Sequence, residues 1–270
     1  MNAPSIKSGC RLFIDLHEVT TAQYASFLAA TNRAAPWQWD TVDLTQHGDR
    51  PVIGVEWSDA APYCRLKGKR LPAEAEWEKS ARGTDGRLYP WGNWVPNKDL
   101  ANFALGARFS YSQVLMPAQS YEHAQSPYGL YHMAGNVWEW VQDWYAVNYY
   151  EVSPEQNPQG PEQGQFKVLR GGSWSDLPST SSPMAVSGFY PRRAIVIRAS
   201  VAPNPNRPMK AIPNVAQRLR LRCGHRLRPR WKIVLISRPG LSQHNKFYYA
   251  LIKAAAHTVF QRGRRETRTS

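Results

Sequence analysis

The chain has 270 residues, 42% of them hydrophobic, and a mean hydropathy of −0.54. No run approaches the ~18–20 consecutive apolar residues that a spanning helix needs, which excludes a polytopic helical membrane protein. Its formal charge of +14 suggests an anionic partner such as nucleic acid, but that charge is unevenly spread. Residues 1–176 carry 15 Lys+Arg against 19 Asp+Glu, a net of −4, while residues 177–270 carry 19 against the single acid Glu266, a net of +18. Ten of the eleven tryptophans lie in the first part, so the two parts are read separately. Cys10, Cys64 and Cys223 are too widely spaced for a disulfide framework or a metal clip. No apolar h-region follows Lys7 and Arg11, so no signal peptide and a cytoplasmic location are expected.

Phe13 to Val19 alternates loosely and predicts an edge strand. Thr20 or Thr21 then caps a helix that carries Tyr24, Phe27 and Leu28 at helical spacing and stops at Asn32. Ala34 to Arg50 shows no period and is expected to be a long ordered loop. Ser58 is placed to cap a second helix from Asp59 to about Leu66, with Pro62 tolerated only in a first turn. After Leu71-Pro72 a third helix runs from Ala73 to Arg82 and closes at Gly83. Glu74 and Glu76 favour its N-terminal end, Trp77 is its core anchor, and Glu74, Glu76 and Glu78 read as a solvated face and end.

Beyond Thr84 the periodicity fades and turn signals crowd together between aromatic residues: Asp85-Gly86, Pro90-Trp91-Gly92-Asn93, Ser126-Pro127-Tyr128-Gly129 and Ala134-Gly135-Asn136. A chain of this kind builds its core from large rings and hydrogen-bonded loops rather than from stacked layers. Such ordered loops often rely on bound metal or dense hydrogen bonding to offset their backbone entropy.

EVTTAQY (18–24), PVIGVEWSD (51–59), KRLPAEAEWEKSARG (69–83), YPWGN (89–93), SPYGLYHMAGNVWEW (126–140) and VLRGGSW (168–174) stand in order along the chain. Together they resemble the formylglycine-generating enzyme, or sulfatase-modifying factor, family over residues 13–176. The resemblance implies an α+β fold, loop-rich and related to C-type lectin modules, with little regular secondary structure. It also implies branches with different chemistry: copper oxidases that turn a sulfatase cysteine into formylglycine, iron-dependent sulfoxide synthases, maturation factors of siderophore chromophores, and modules fused to kinases.

By that resemblance a calcium site would draw on His132, the carbonyls of Gly135 and Val137, and Glu139, hard oxygen donors apart from the imidazole. The alternative is that Glu139 caps its own loop and His132 lies on the surface. A second calcium site would begin at Asn102, but its expected carboxylate falls near Ser110, so Asn102 is read as a turn former. The copper site of the oxidase branch needs the serine of GGS, here Ser173, and cysteines three and eight positions later. Those positions hold Asp176 and Ser181, and neither supplies a thiolate for Cu(I). No HxxxHxE pattern of the iron branch occurs among the seven histidines.

The family's closing segment is not found after Trp174. Residues 177–270 are expected to be an irregular or disordered off-family tail. Three origins are weighed: a shifted reading frame, which is favoured, a basic arm for nucleic acid or anionic lipid, and a small basic domain. At the other end an edge strand is expected to be missing. The sequence thus predicts a divergent family member without copper-dependent formylglycine formation, acting as a binding or accessory module for an unidentified protein or peptide. Two alternatives stand beside it: an oxidoreductase built around Trp138, Glu139 and Ser173, and nucleic-acid binding through residues 177–270.

Overall fold

The computed structural model of the chain describes residues 12–103 and 114–176, together with the backbone of 186–189, 196–197 and 200–201. Helices come first in the chain and the main sheet follows, the order of an α+β domain. β1 is the two-residue strand Phe13–Ile14. The helix after it is α1, Thr21–Thr31. Thr20 and Gln23 bond reciprocally at its start, a capping box that satisfies two otherwise orphaned donors, and Asn32 ends it in the left-handed conformation.

Two expectations for the next stretch are corrected. Residues 34–50 are not a loop throughout: a 3₁₀ turn forms at Trp39–Thr41 and a short helix, α2, at Leu44–His47. Asp43 caps α2 by accepting from the Thr45 backbone N–H at 2.9 Å. Elements of one turn leave no periodicity to read. The following helix, α3, spans Trp57–Leu66 with Glu56 at its N-cap, so Ser58 lies inside it and Pro62 is its sixth residue. The proline is held in place by its neighbours, since Ala60, Ala61, Tyr63 and Cys64 are all buried, and packing outweighs the lost N–H. α4 covers Glu74–Arg82, and the Glu76 carboxylate accepts from the Ala73 N–H at 2.8 Å where the N-cap alanine has no acceptor to offer.

The main sheet has the order β4-β3-β2-β5. β2 (Glu139–Trp144) runs antiparallel to β3 (Lys167–Arg170) and parallel to β5 (Val196–Ile197), and β3 runs antiparallel to β4 (Val186–Phe189). A second, two-stranded sheet pairs β1 with β6 (Ser200–Val201). Strand pairing therefore reaches beyond residue 176. The register of β2 against β3 shifts between Trp140 and Trp144, as a bulge does.

Large rings fill the core. Tyr24 and Phe27 of α1, Tyr63 of α3, Trp140 of β2 and Leu169 of β3 belong to one cluster. Trp77 of α4 packs in another with Ile14, Leu130, Met133, Val141 and Val168. Two indoles fasten α3 and the residues just before it to β2: Trp140 donates to the Val55 carbonyl at 3.0 Å and Trp57 to the Val141 carbonyl at 2.9 Å. A buried Trp with its N–H satisfied brings its full apolar area to the core, about 3–5 kcal/mol if truncated to alanine.

Candidate functional site

The motif loops GNVWEW and RGGSW meet over α4. Gly135 donates its N–H to the Gly171 carbonyl at 2.9 Å, and Trp174 donates to the Asn136 carbonyl at 2.9 Å. Beneath them the Trp77 indole donates to Glu139 Oε2 at 2.7 Å. Glu139 is fully buried, so this bond answers a carboxylate that has left water.

Asn136 is the hub of the arrangement. Its Oδ1 accepts from Asn102 Nδ2 at 2.8 Å and from the Met116 N–H at 3.0 Å, and its Nδ2 donates to Glu18 Oε2 at 2.9 Å and to the Met116 carbonyl at 3.3 Å. Its backbone N–H donates to the Asn102 carbonyl at 2.8 Å. Asn102 Nδ2 also reaches the Val114 carbonyl at 2.6 Å. One buried amide thus ties residues 18, 102, 114–116 and 136 together. Gly135 beside it has φ +78°, and a Cβ there would overlap the Asn102 carbonyl, so the close approach of the two loops needs glycine.

Ser173 is 3% exposed and closed into a turn. Asp176 Oδ2 accepts from its backbone N–H at 2.8 Å and from its hydroxyl at 2.7 Å, and Ser175 Oγ lies 3.1 Å from Ser173 Oγ. Asp176 stands where the resemblance places the first thiolate, and its carboxylate is spent on the serine.

The frame is held from behind by Arg170, which is fully buried. Its guanidinium lies 2.7 Å from Glu78 Oε2 and 3.6 Å from Glu74 Oε1, with its carbon 5.2 Å from the centre of the Trp77 ring. Glu74 is 6% exposed and accepts from the Tyr150 hydroxyl at 2.9 Å. The expectation of a solvated Glu74 and Glu78 is corrected: helical spacing of four puts both on one face, and that face meets a buried arginine. Burial pushes the Glu74 carboxyl up, opposed by Arg170 and the Tyr150 hydroxyl.

The structure brings Asn102, Gly135, Glu139 and Ser173 into this one frame and leaves two predicted residues outside it. His132 is 5% exposed rather than on the surface. Its Nε2 lies 3.1 Å from the Pro117 carbonyl and its ring packs edge-on against Tyr121. Trp138 packs on the cluster of α1 and α3, whereas Trp174 packs with Ile53, Val114, Leu115 and Val137. The Gly135 carbonyl accepts from the Val137 N–H at 3.0 Å. Glu139 accepts from Trp77 of α4. Asn102 is a buried link and not a turn former. Among the described residues no group of three His, Cys, Asp or Glu side chains converges on a point. Ser110, Ser181 and the arginines of the tail lie outside the described residues. Asn136 and Arg170 are central here and carry no motif reading in the sequence; the arginine directly before Gly-Gly and the Glu74–Glu78 spacing are the available signals.

A sequence profile of the sulfatase-modifying factor enzyme 1-like domain matches residues 6–195, and the chain belongs to that family. It is 37% identical over 184 residues to the serine/threonine-protein kinase pkn1 of Chlamydia caviae, covering 61% of this chain and 28% of the kinase. It is 38% identical over 184 residues to the formylglycine-generating enzyme of Streptomyces coelicolor, covering 58% of this chain and 56% of that enzyme. The chain thus spans less than two thirds of these relatives. The structure of PvdO from Pseudomonas aeruginosa superposes with a TM-score of 0.56 at 23% identity, over 69% of this chain and 78% of that one, which establishes the loop-rich α+β fold.

Proposed function

We propose that this protein is a divergent member of its family that does not form formylglycine with copper and instead serves as a binding or accessory module. The observation that carries the reading is Asp176. At the position of a copper thiolate it offers a hard carboxylate, already committed to the N–H and hydroxyl of Ser173, and Cu(I) is held by soft sulfur. The described residues therefore do not fit the copper centre. A module role is supported by the pkn1 relative, in which the matched region is a minor part of a longer protein. It is supported too by Trp94 and Val95, 76% and 81% exposed on a loop fixed by the Trp91 indole to the Trp94 carbonyl and by Asn93 to the Leu88 N–H. A preorganised, exposed aromatic side chain is the usual anchor of a protein or peptide interface. The test is incubation with copper, oxygen and a Cys-x-Pro-x-Arg peptide, read by mass spectrometry. The thiol is expected to persist; conversion to the aldehyde overturns the proposal.

Calcium at the Gly135–Val137–Glu139 loop and a cytoplasmic setting belong to the same proposal. The +18 charge of residues 177–270 favours a second reading, nucleic-acid binding by that segment, which predicts DNA affinity that falls steeply with salt.

A further inference from the structure

Away from the Ser173 frame, α4, β2 and β3 enclose a second group of charges. Asp143 of β2 is 2% exposed, and its Oδ2 accepts from the backbone N–H of Glu74, the first residue of α4, at 2.8 Å. The buried Glu74 carboxyl sits at the same helix end. Facing Asp143 are Glu74 and Glu76 on α4, Arg70 before it, bonded to both oxygens of Glu76, and Lys167 on β3. Lys167 is itself held: its Nζ donates to the Gln142 carbonyl at 2.8 Å and lies 4.0 and 3.8 Å from the ring centres of Trp57 and Trp144.

Residues 145–164 cover both carboxyls. Tyr150 reaches Glu74, and Gly160, with φ +77°, lies so close that a Cβ there would stand 2.8 Å from Asp143 Cβ. Tyr145, at its start, packs on the Trp77 cluster, whereas Val147 and Val152 are 82% and 83% exposed.

We propose that Asp143 and Glu74 form a pH-sensitive latch, fastening residues 145–164 to α4 and β2 in mildly acid solution and loosening them as pH rises through neutrality. Burial pushes Asp143 up to about 7, against the pull of the Glu74 N–H and with further push from the Glu74 and Glu76 charges. Burial pushes Glu74 up as well, opposed by Arg170 and the Tyr150 hydroxyl; its ion pair with Arg170 at 3.6 Å is the reason the proton is placed on Asp143. When the cover lifts, Asp143 regains water and the ordinary carboxylate range. The closed form therefore binds the proton more tightly. Its advantage is full below the ordinary carboxylate pKa and is lost as pH rises toward about 7. Above that, two neighbouring anions share one water-poor helix end, which favours opening.

Hydrogen exchange of the full chain, corrected for the intrinsic rate at each pH, tests this. Protection of peptides within 145–164 is expected to fall about tenfold or more between about pH 5.5 and about pH 8. In Asp143→Asn it should be flat over that range. In Glu74→Gln, which keeps Asp143 but removes its like-charged neighbour, the loss should begin at lower pH. The latch is overturned if wild-type protection does not change with pH, if Asp143→Asn keeps the wild-type response, or, should that variant fail to fold, if Glu74→Gln leaves the response in place.

Discussion

Replacing Arg170 by methionine removes the one cation that both Glu74 and Glu78 share. The two losses are unequal. Glu78 is 33% exposed and also pairs with Arg82 at 2.6 Å, so its part is solvent-screened and worth at most about 1 kcal/mol. Glu74 is 7% exposed at its side chain and is left with the Tyr150 hydroxyl as its donor, and a buried charge stripped of its partner costs about 3–5 kcal/mol. Methionine keeps most of the packing on Trp77, so the electrostatic loss dominates and the whole is about 4 kcal/mol. For a domain of this size that lowers the thermal midpoint by about 8–16 °C, read by circular dichroism against wild type. The deficit should also depend on pH. Burial already raises the Glu74 carboxyl, and loss of Arg170 raises it further. Its protonated form then fits the fold better than its anion, so the deficit is small in acid and grows as pH rises through the folded-state pKa. A deficit under about 1 kcal/mol at neutral pH, or one of equal size at acid pH, would refute the reasoning. The double variant Arg170→Met with Glu74→Gln should recover part of the loss, because no buried charge remains alone.

Gly135→Ala is expected to cost about 3 kcal/mol or more, from left-handed strain and the overlap with the Asn102 carbonyl; urea midpoints check it, and a loss within error of zero contradicts the close approach. If calcium binds the Gly135–Val137–Glu139 loop, adding it to chelator-treated protein at about 100 times its dissociation constant raises stability by about 2.7 kcal/mol. Glu139→Gln should abolish that gain, and an unchanged midpoint in wild type removes calcium from the account.

The helices were readable because their signals are local. Thr20 or Thr21, Asn32 and Gly83 mark ends by residue type alone, and Trp77, the fourth residue of a nine-residue helix, reads as its core anchor. The motif loops were readable as an ordered set. What sequence could not show was the partnering across the chain. Asn136 looks like one more turn residue, yet its amide joins Glu18, 118 positions away, to residues 102 and 116. Glu74 and Glu78 carry the exposed-helix pattern, and only the arrival of Arg170, 92 residues after Glu78, turns that face inward. A short element was also invisible: α2 is four residues long, barely one helical turn and too short to repeat a pattern, while β1 keeps only Phe13–Ile14 of the alternating stretch 13–19. β4, β5 and β6 take their place from pairing with β3, β2 and β1 and not from any strong alternation of their own.

The supports of the GGS loop do not pass through residue 176, where the resemblance places a copper thiolate. Gly171 is fixed by Gly135, Trp174 by Asn136, and Arg170 by Glu74 and Glu78. Residue 176 contributes only a local turn with Ser173. A change at that position can alter the chemistry while the frame stays intact, because the lost contacts are worth about 1–2 kcal/mol against a frame built from buried ion pairs and an amide hub. On the proposed reading, the same separation lets a chain of this family carry an aspartate at that position. It also sets a requirement for any attempt to build a copper site there: Asp176→Cys removes the carboxylate that accepts from both the Ser173 N–H and its hydroxyl, and although Ser175 Oγ remains 3.1 Å from the hydroxyl, the N–H needs a new acceptor in a buried turn.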